Sequence, residues 1–142
     1  GSHTVVCLHE AGFEPIIIDN LSNSEASAMD GIEQLIGYKP IWANIDVNDK
    51  AALGNVIKEH QPQGVIHFAA FKAVGESVQK PLTYYRNNVG GLITLMEVLK
   101  EENIGNLVFS SSCTVYGEPD EIPVKESTQT KMAESPYEGV VV

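Results

Sequence analysis

The chain has 142 residues, 43% of them apolar, and a formal net charge of −10. That length supports one globular domain with a single core, while the acidic balance argues against nucleic acid or an anionic membrane as partner, because both require clustered Lys and Arg. No run approaches the roughly 18 apolar residues of a spanning helix and no signal peptide is visible; Cys7 and Cys113 form neither a CxxC nor a zinc spacing, so a reduced, cytoplasmic setting and no metal are expected.

"TVVCLHEAG" predicts a first helix closed by Gly12, and "EPIIIDN" a buried strand from Pro15 to Ile18. "PIWANIDV" predicts a second strand, about Ile41 to Ile45. "DKAALGNVIKEH" has helical period, with Ala52, Val56 and the Leu53/Ile57 pair on one side. A third strand is expected from Val65 to Ala69 in "GVIHFAA". "PLTYYRNNVGGLITLMEVLKEEN" then reads as a long helix with Pro81 at its first position, Val89, Leu92, Met96 and Leu99 at helical spacing, and Gly105 closing it. "NLVFSSS" gives a fourth strand, Leu107 to Ser111. Residues 113–134, rich in Pro, Glu, Thr and Lys, form either a functional loop or a disordered tail.

The expected order is α-β-α-β-α-β-α-β, without internal repeat. Strands separated by helices need crossovers, so the class is α/β with a parallel sheet and helices on both faces. In a doubly wound sheet of order 3-2-1-4-5 the first strand is central. This chain opens on a helix, so it is expected to lack that strand, whose loss would leave ladder amides without partners.

Ligands in such sheets bind at the carboxyl ends of the strands, on a Gly-rich turn and an acidic residue about 20 positions further on. Gly1 would be the third glycine of that turn, and Asp19, at the end of "PIIID", the acid. An opening "GSH" can also be a cloning remnant, and a strand-terminal Asp can simply belong to a turn. His67, between Ile66 and Phe68, reads as a core histidine. Asp46 can end its strand in a turn, Lys72 can be a solvated charge, and Asn87 and Asn88 can be amides on a helix surface.

"HFAAFKAVGESVQKPLTYYRNNV", "NLVFSSSCTVYGEP" and "SPY", with "GSHTV" and "DNLSNS" ahead of them in the same order, closely resemble the UDP-galactose (UDP-glucose) 4-epimerases of the extended short-chain dehydrogenase/reductase family. The resemblance covers essentially all of the chain to Tyr137 and favours a native "GSH". It implies a Rossmann-like domain over 1–142, partial, without its first strand and without the C-terminal substrate domain. It also implies NAD as cofactor and a nucleotide sugar as substrate, epimerised at C4 through transient oxidation to a ketone. Family members are often homodimers, with 81–103 as one of the pairing helices.

By the same resemblance Asp19 and Asn20 would hold the adenosine ribose, and Asn23 and Ser24 would sit near the phosphates and ribose. Asp46 and Val47 would flank the adenine. Phe68, Ala69 and Ala70 would line the cofactor groove, where small residues let the backbone approach a dinucleotide. Lys72 would reach the nicotinamide ribose and Asn87 would face the cofactor. Ser110 and Ser111 end the fourth strand beside it, Ser112 would hydrogen-bond the reacting hydroxyl, and Tyr137 would be the acid/base.

The family places a lysine four residues after that tyrosine, on the same helix face. A free tyrosine has a pKa near ~10 and needs a neighbouring cation to ionise near neutrality. Here the fourth residue is Val141, and Glu138 adds a negative charge. The chain by itself is therefore expected to be inactive. Every residue before Tyr137 fits the family and those after it fail together, which favours a truncated reading over a degenerate paralogue or an enzyme fragment with an unusual end. The alternatives are a nucleotide-sugar dehydratase or decarboxylase, which would place a Thr-Asp/Glu pair beside the serine where "SSSCTVYG" has no acid, a non-catalytic NAD-binding module, or an unstable fragment.

Overall fold

A computed structural model describes residues 1–131 and 135. Tyr137, Glu138 and Val141 lie outside the described residues. The chain forms two compact units, Gly1–Pro62 with Thr94–Ile104, and Gln63–Ile93 with the residues from Gly105 on.

The first unit runs α1 (Ser2–Glu10), β1 (Ile16–Ile18), α2 (Ser27–Ile36), β2 (Ile41–Ala43) and α3 (Lys50–His60). The C-terminal part of a later helix, α6 (Gly91–Glu101), also belongs to it. β1 and β2 pair in parallel, with Ile16 opposite Ile41, Ile17 opposite Trp42 and Ile18 opposite Ala43. Three of the unit's helices bury one stripe each, Ile32 and Ile36 from α2, Leu53 and Ile57 from α3, and Leu95, Val98 and Leu99 from α6, while α1 buries none. The expected Leu53/Ile57 pair is thus the buried one, with Ala52 and Val56 half-buried beside it. In α6 the buried stripe differs from the expected one. Leu99 is buried as expected, but Met96 is 54% exposed, and Leu95 and Val98 lie inside instead; Val89, in the turn before α6, is 37% exposed.

Helix ends follow backbone chemistry. Gly12 (φ +85°) takes the left-handed position after α1; its N–H donates to the His9 carbonyl at 2.9 Å and that of Phe13 to Leu8 at 2.9 Å. That double bond is the Schellman arrangement, which glycine adopts without strain. α6 ends in the same way, but on Asn103 (φ +58°) rather than on the expected Gly105, with Ile104 N–H donating to Leu99 at 2.9 Å. Asparagine tolerates this conformation better than other side chains do. At the start of α3, Asp49 accepts from the Ala52 N–H at 3.0 Å.

The second unit contains β3 (Val65–His67) and β4 (Leu107–Phe109), again parallel, with Val65 opposite Leu107, Ile66 opposite Val108 and His67 opposite Phe109. Between them lie α4 (Val74–Gln79), α5 (Pro81–Tyr84), a π-helical turn (Tyr85–Gly90) and α6. Pro81 stands at the start of α5, as expected for a residue without an N–H to donate. The long helix expected over 81–103 is therefore interrupted by a wider turn. A 3₁₀ turn follows β4 at Cys113–Tyr116. Beyond it Gly117 takes φ +55°, and Lys131 closes the loop, its N–H donating to Val115 at 3.0 Å and its ammonium to the Glu118 carbonyl and to Asp120.

All four strands are shorter than expected, three residues each, and β1 is half-buried rather than buried. The described strands form two separate parallel pairs, β1 with β2 and β3 with β4. Among the described residues each strand has one partner, and the ladders are three residues long.

Candidate functional site

In parallel pairs the chain leaves every strand at the same edge, so residues that follow two paired strands meet there. In the first unit Asp19 directly follows β1. Its Oδ1 accepts from the Leu21 N–H at 2.8 Å and from the Ser24 hydroxyl at 2.8 Å. Both bonds fall on one carboxylate oxygen. Its carbonyl accepts from the Trp42 indole at 3.1 Å, which fixes it against β2. Asn20 donates to Asp46 Oδ2 at 2.9 Å, tying the turn after β1 to the one after β2.

Asp46 Oδ1 accepts from the Asn48 N–H at 2.8 Å and from its amide at 3.0 Å. The backbone donor of Asn48 is the main reason the Asp46 carboxyl lies below its ordinary range; partial burial opposes it, and the amides of Asn48 and Asn20 assist. Val47 is half-buried and Asn23 exposed. Gly1 sits directly before α1, accepting from the Val5 N–H at 3.1 Å, and has open space where a Cβ would stand. Asp19, Asn20, Ser24 and Asp46 are therefore brought into one hydrogen-bonded group.

In the second unit Phe68, Ala69, Ala70 and Lys72 follow β3 and are exposed. Ser110 and Ser111 follow β4 at the same edge and are also exposed, and the Ser110 N–H extends the ladder by donating to the His67 carbonyl at 3.1 Å. Ser112 is half-buried. Its Oγ accepts from the Thr114 N–H at 3.3 Å and from the Thr114 hydroxyl at 3.1 Å, capping the 3₁₀ turn. His67 is buried and stacked on Phe109, with ring centroids 6.0 Å apart, and burial lowers its pKa. It lies in the core, as expected.

Residues the sequence reading passed over hold the loop after β3. Asn88, read as a possible surface amide, is 6% exposed. Its Oδ1 accepts from the Phe71 N–H at 2.9 Å and its Nδ2 donates to the Phe71 carbonyl at 2.9 Å, so one side chain completes both backbone bonds of Phe71. Tyr84, 1% exposed, accepts from the Ala73 N–H at 3.2 Å and donates to Glu76 at 3.0 Å. Asn87, half-buried, donates to Asn88 Oδ1 at 2.9 Å. The signal was present: Tyr84 and Asn88 stand four apart in a helical stripe that continues through Leu95, and a polar side chain in such a stripe needs buried partners.

The family model described as GDP-mannose 4,6 dehydratase matches residues 1–139. The UDP-glucose 4-epimerase of Yersinia pestis is 48% identical over 137 residues, covering 96% of this chain and 40% of that protein. The crystal structure of the UDP-glucose 4-epimerase from Bifidobacterium longum in complex with NAD+ and UDP superposes with a TM-score of 0.93 at 41% identity, covering 99% of this chain and 42% of that one. The structure of the Stenotrophomonas maltophila enzyme with bound NAD and formylated UDP-arabinopyranose gives 0.93 at 39% identity, with the same coverage. The chain spans about 40% of the length of the curated relatives it matches. With this match over almost all its residues, parallel strands in both units, and relatives that are UDP-glucose 4-epimerases, the chain belongs to the GDP-mannose 4,6 dehydratase family of Rossmann-fold nucleotide-sugar enzymes.

Proposed function

We propose that this chain is the NAD-binding part of a UDP-galactose/UDP-glucose 4-epimerase, with residues 1–142 forming a partial Rossmann-like domain. The observation that carries the reading is Asp19: a carboxylate directly after β1, fixed by Trp42, whose two hydrogen bonds both use Oδ1. Oδ2 is thereby left to accept from a ribose hydroxyl, and a diol is the donor such an oxygen suits. The exposed backbone at Ala69 and Ala70 carries side chains no larger than a methyl, so a flat dinucleotide can approach it.

In this reading Asp19 and Asn20 bind the adenosine ribose, and Gly1, Asn23 and Ser24 lie beside the phosphates and ribose. Asp46 and Val47 border the adenine. Phe68, Ala69, Ala70, Lys72 and Asn87 serve the nicotinamide side, together with Ser110 and Ser111. In the whole protein Ser112 orients the sugar hydroxyl and Tyr137 exchanges its proton, while this chain by itself, with Val141 four residues after Tyr137, is inactive. NAD, when bound, supplies hydride acceptance and return at sugar C4. The substrate is a nucleotide sugar. The family description names a dehydratase, but "SSSCTVYG" offers no carboxyl beside Ser112 to serve as a second acid, which favours epimerisation.

Trp42 is the only tryptophan and is bonded to Asp19, so it reports on this group. Titration with NADH is expected to quench its fluorescence saturably, and Asp19→Ala to weaken binding by about tenfold, the worth of a hydrogen bond to a charged acceptor. Unchanged affinity in a folded Asp19→Ala protein would remove Asp19 from the site.

A further inference from the structure

We infer that Asn88 and Tyr84 are positioning residues that set the loop Phe68–Lys72 for the nicotinamide half of the cofactor; the inference rests on the NAD reading above. The loop follows a strand of only three residues and has no ladder partner over Ala69–Ala73 among the described residues. Its backbone is held from the helical side instead. Asn88 takes both polar groups of Phe71, and Tyr84 takes the N–H of Ala73, so the residues flanking Lys72 are each fixed by a buried side chain.

The π-helical turn is what allows this. It widens the helix at Tyr85–Gly90, and both Asn87 and Asn88 fall inside it, with Asn87 donating to the same Oδ1 that receives Phe71. Turns of this kind are frequent at functional sites. The rings of Phe71 and Tyr84, 5.6 Å apart, close the space behind the loop. Ala69, Ala70 and Lys72 remain exposed on a backbone that is clamped on either side of Lys72. A rigid exposed loop binds a ligand without an ordering cost, whereas a loose one loses affinity on immobilisation.

The test separates the two ends of the cofactor. Binding of NAD+ and of AMP, which lacks the nicotinamide ribose, is measured by calorimetry for the unmodified chain, Asn88→Ala and Tyr84→Phe, with amide exchange at Phe71 and Ala73 as a local readout. The expected result is faster exchange at those amides and a fall of roughly tenfold in the NAD+/AMP affinity ratio for Asn88→Ala, about the worth of one net hydrogen bond. Tyr84→Phe is expected to shift the ratio in the same direction by less, and it serves as the test if Asn88→Ala does not fold. Equal losses for both ligands, or no change in the ratio in a folded variant, would make the clamp merely structural and overturn the inference. Failure of the unmodified chain to bind NAD+ at all would overturn the parent reading and this inference with it.

Discussion

At the scale of single residues, two titrating groups carry consequences. His67 is buried against Phe109 and its pKa lies below the ordinary 6.5 because burial disfavours the charged ring. In the unfolded chain the ring protonates first. Stability is therefore full above about pH 6.5 and is lost as pH falls from there toward the folded value. Unfolding in urea followed from about pH 7.5 to about pH 5, on either side of that value, is expected to show this loss, and His67→Phe to remove most of it; an unaltered slope in the variant would assign it elsewhere. The Asp46 carboxylate adds a loss at lower pH, since its stabilising bonds to Asn48 disappear as it is protonated through its folded pKa. Asp19 was singled out in the sequence by its distance from Gly1 and its place after an apolar run, and it does stand directly after β1. The burial of Asn88 against Phe71 was not legible, because an amide in a helix shows which way it faces only when the phase of that helix is known.

At the scale of elements, that phase is where reading failed. Between Val89 and Leu99 apolar residues are dense enough to make two overlapping stripes, and period alone does not choose between them. The π-helical turn at Tyr85–Gly90 adds a break that the 3.6-residue period does not contain. Caps were read better where glycine has a backbone reason to be present: Gly12 closes α1 as expected, while Gly105 gave its expected role to Asn103. Gly64 has a reason of a different kind. A Cβ there would stand 2.9 Å from the Asn106 Cβ and 3.1 Å from its carbonyl oxygen, just where the Val65 N–H donates to that carbonyl at 2.9 Å. Gly64→Ala must push the start of β4 away from β3 and is expected to cost about 1–3 kcal/mol, the usual range for overpacking. A urea midpoint equal to that of the parent would show that the approach is looser than this geometry.

At the scale of the whole molecule, alternation of strands and helices pointed to the class, because parallel neighbours need a crossover and a helix supplies it. Both pairs obey this, and Asp19 in one unit and Phe68, Ala69, Ala70, Ser110 and Ser111 in the other follow the carboxyl ends of the strands, whereas Asn87 comes from the π-helical turn. Strand number per sheet was less legible, since a strand's length depends on how many partners it has and not on its own composition. The three ion pairs of Lys50 and Lys58 with Glu97, Glu101 and Glu102 are exposed and contribute little to stability despite their short distances.

The account turns on a dinucleotide whose adenosine ribose is read by the Asp19 carboxylate. Calorimetric titration of the 142-residue chain with NAD+ and, separately, NADP+ tests it most directly. A carboxylate that accepts from the free ribose hydroxyls repels a phosphate placed on one of them, so NAD+ is expected to bind at one site and NADP+ at least about tenfold more weakly. Equal affinity for the two, or heat from neither, would contradict the account.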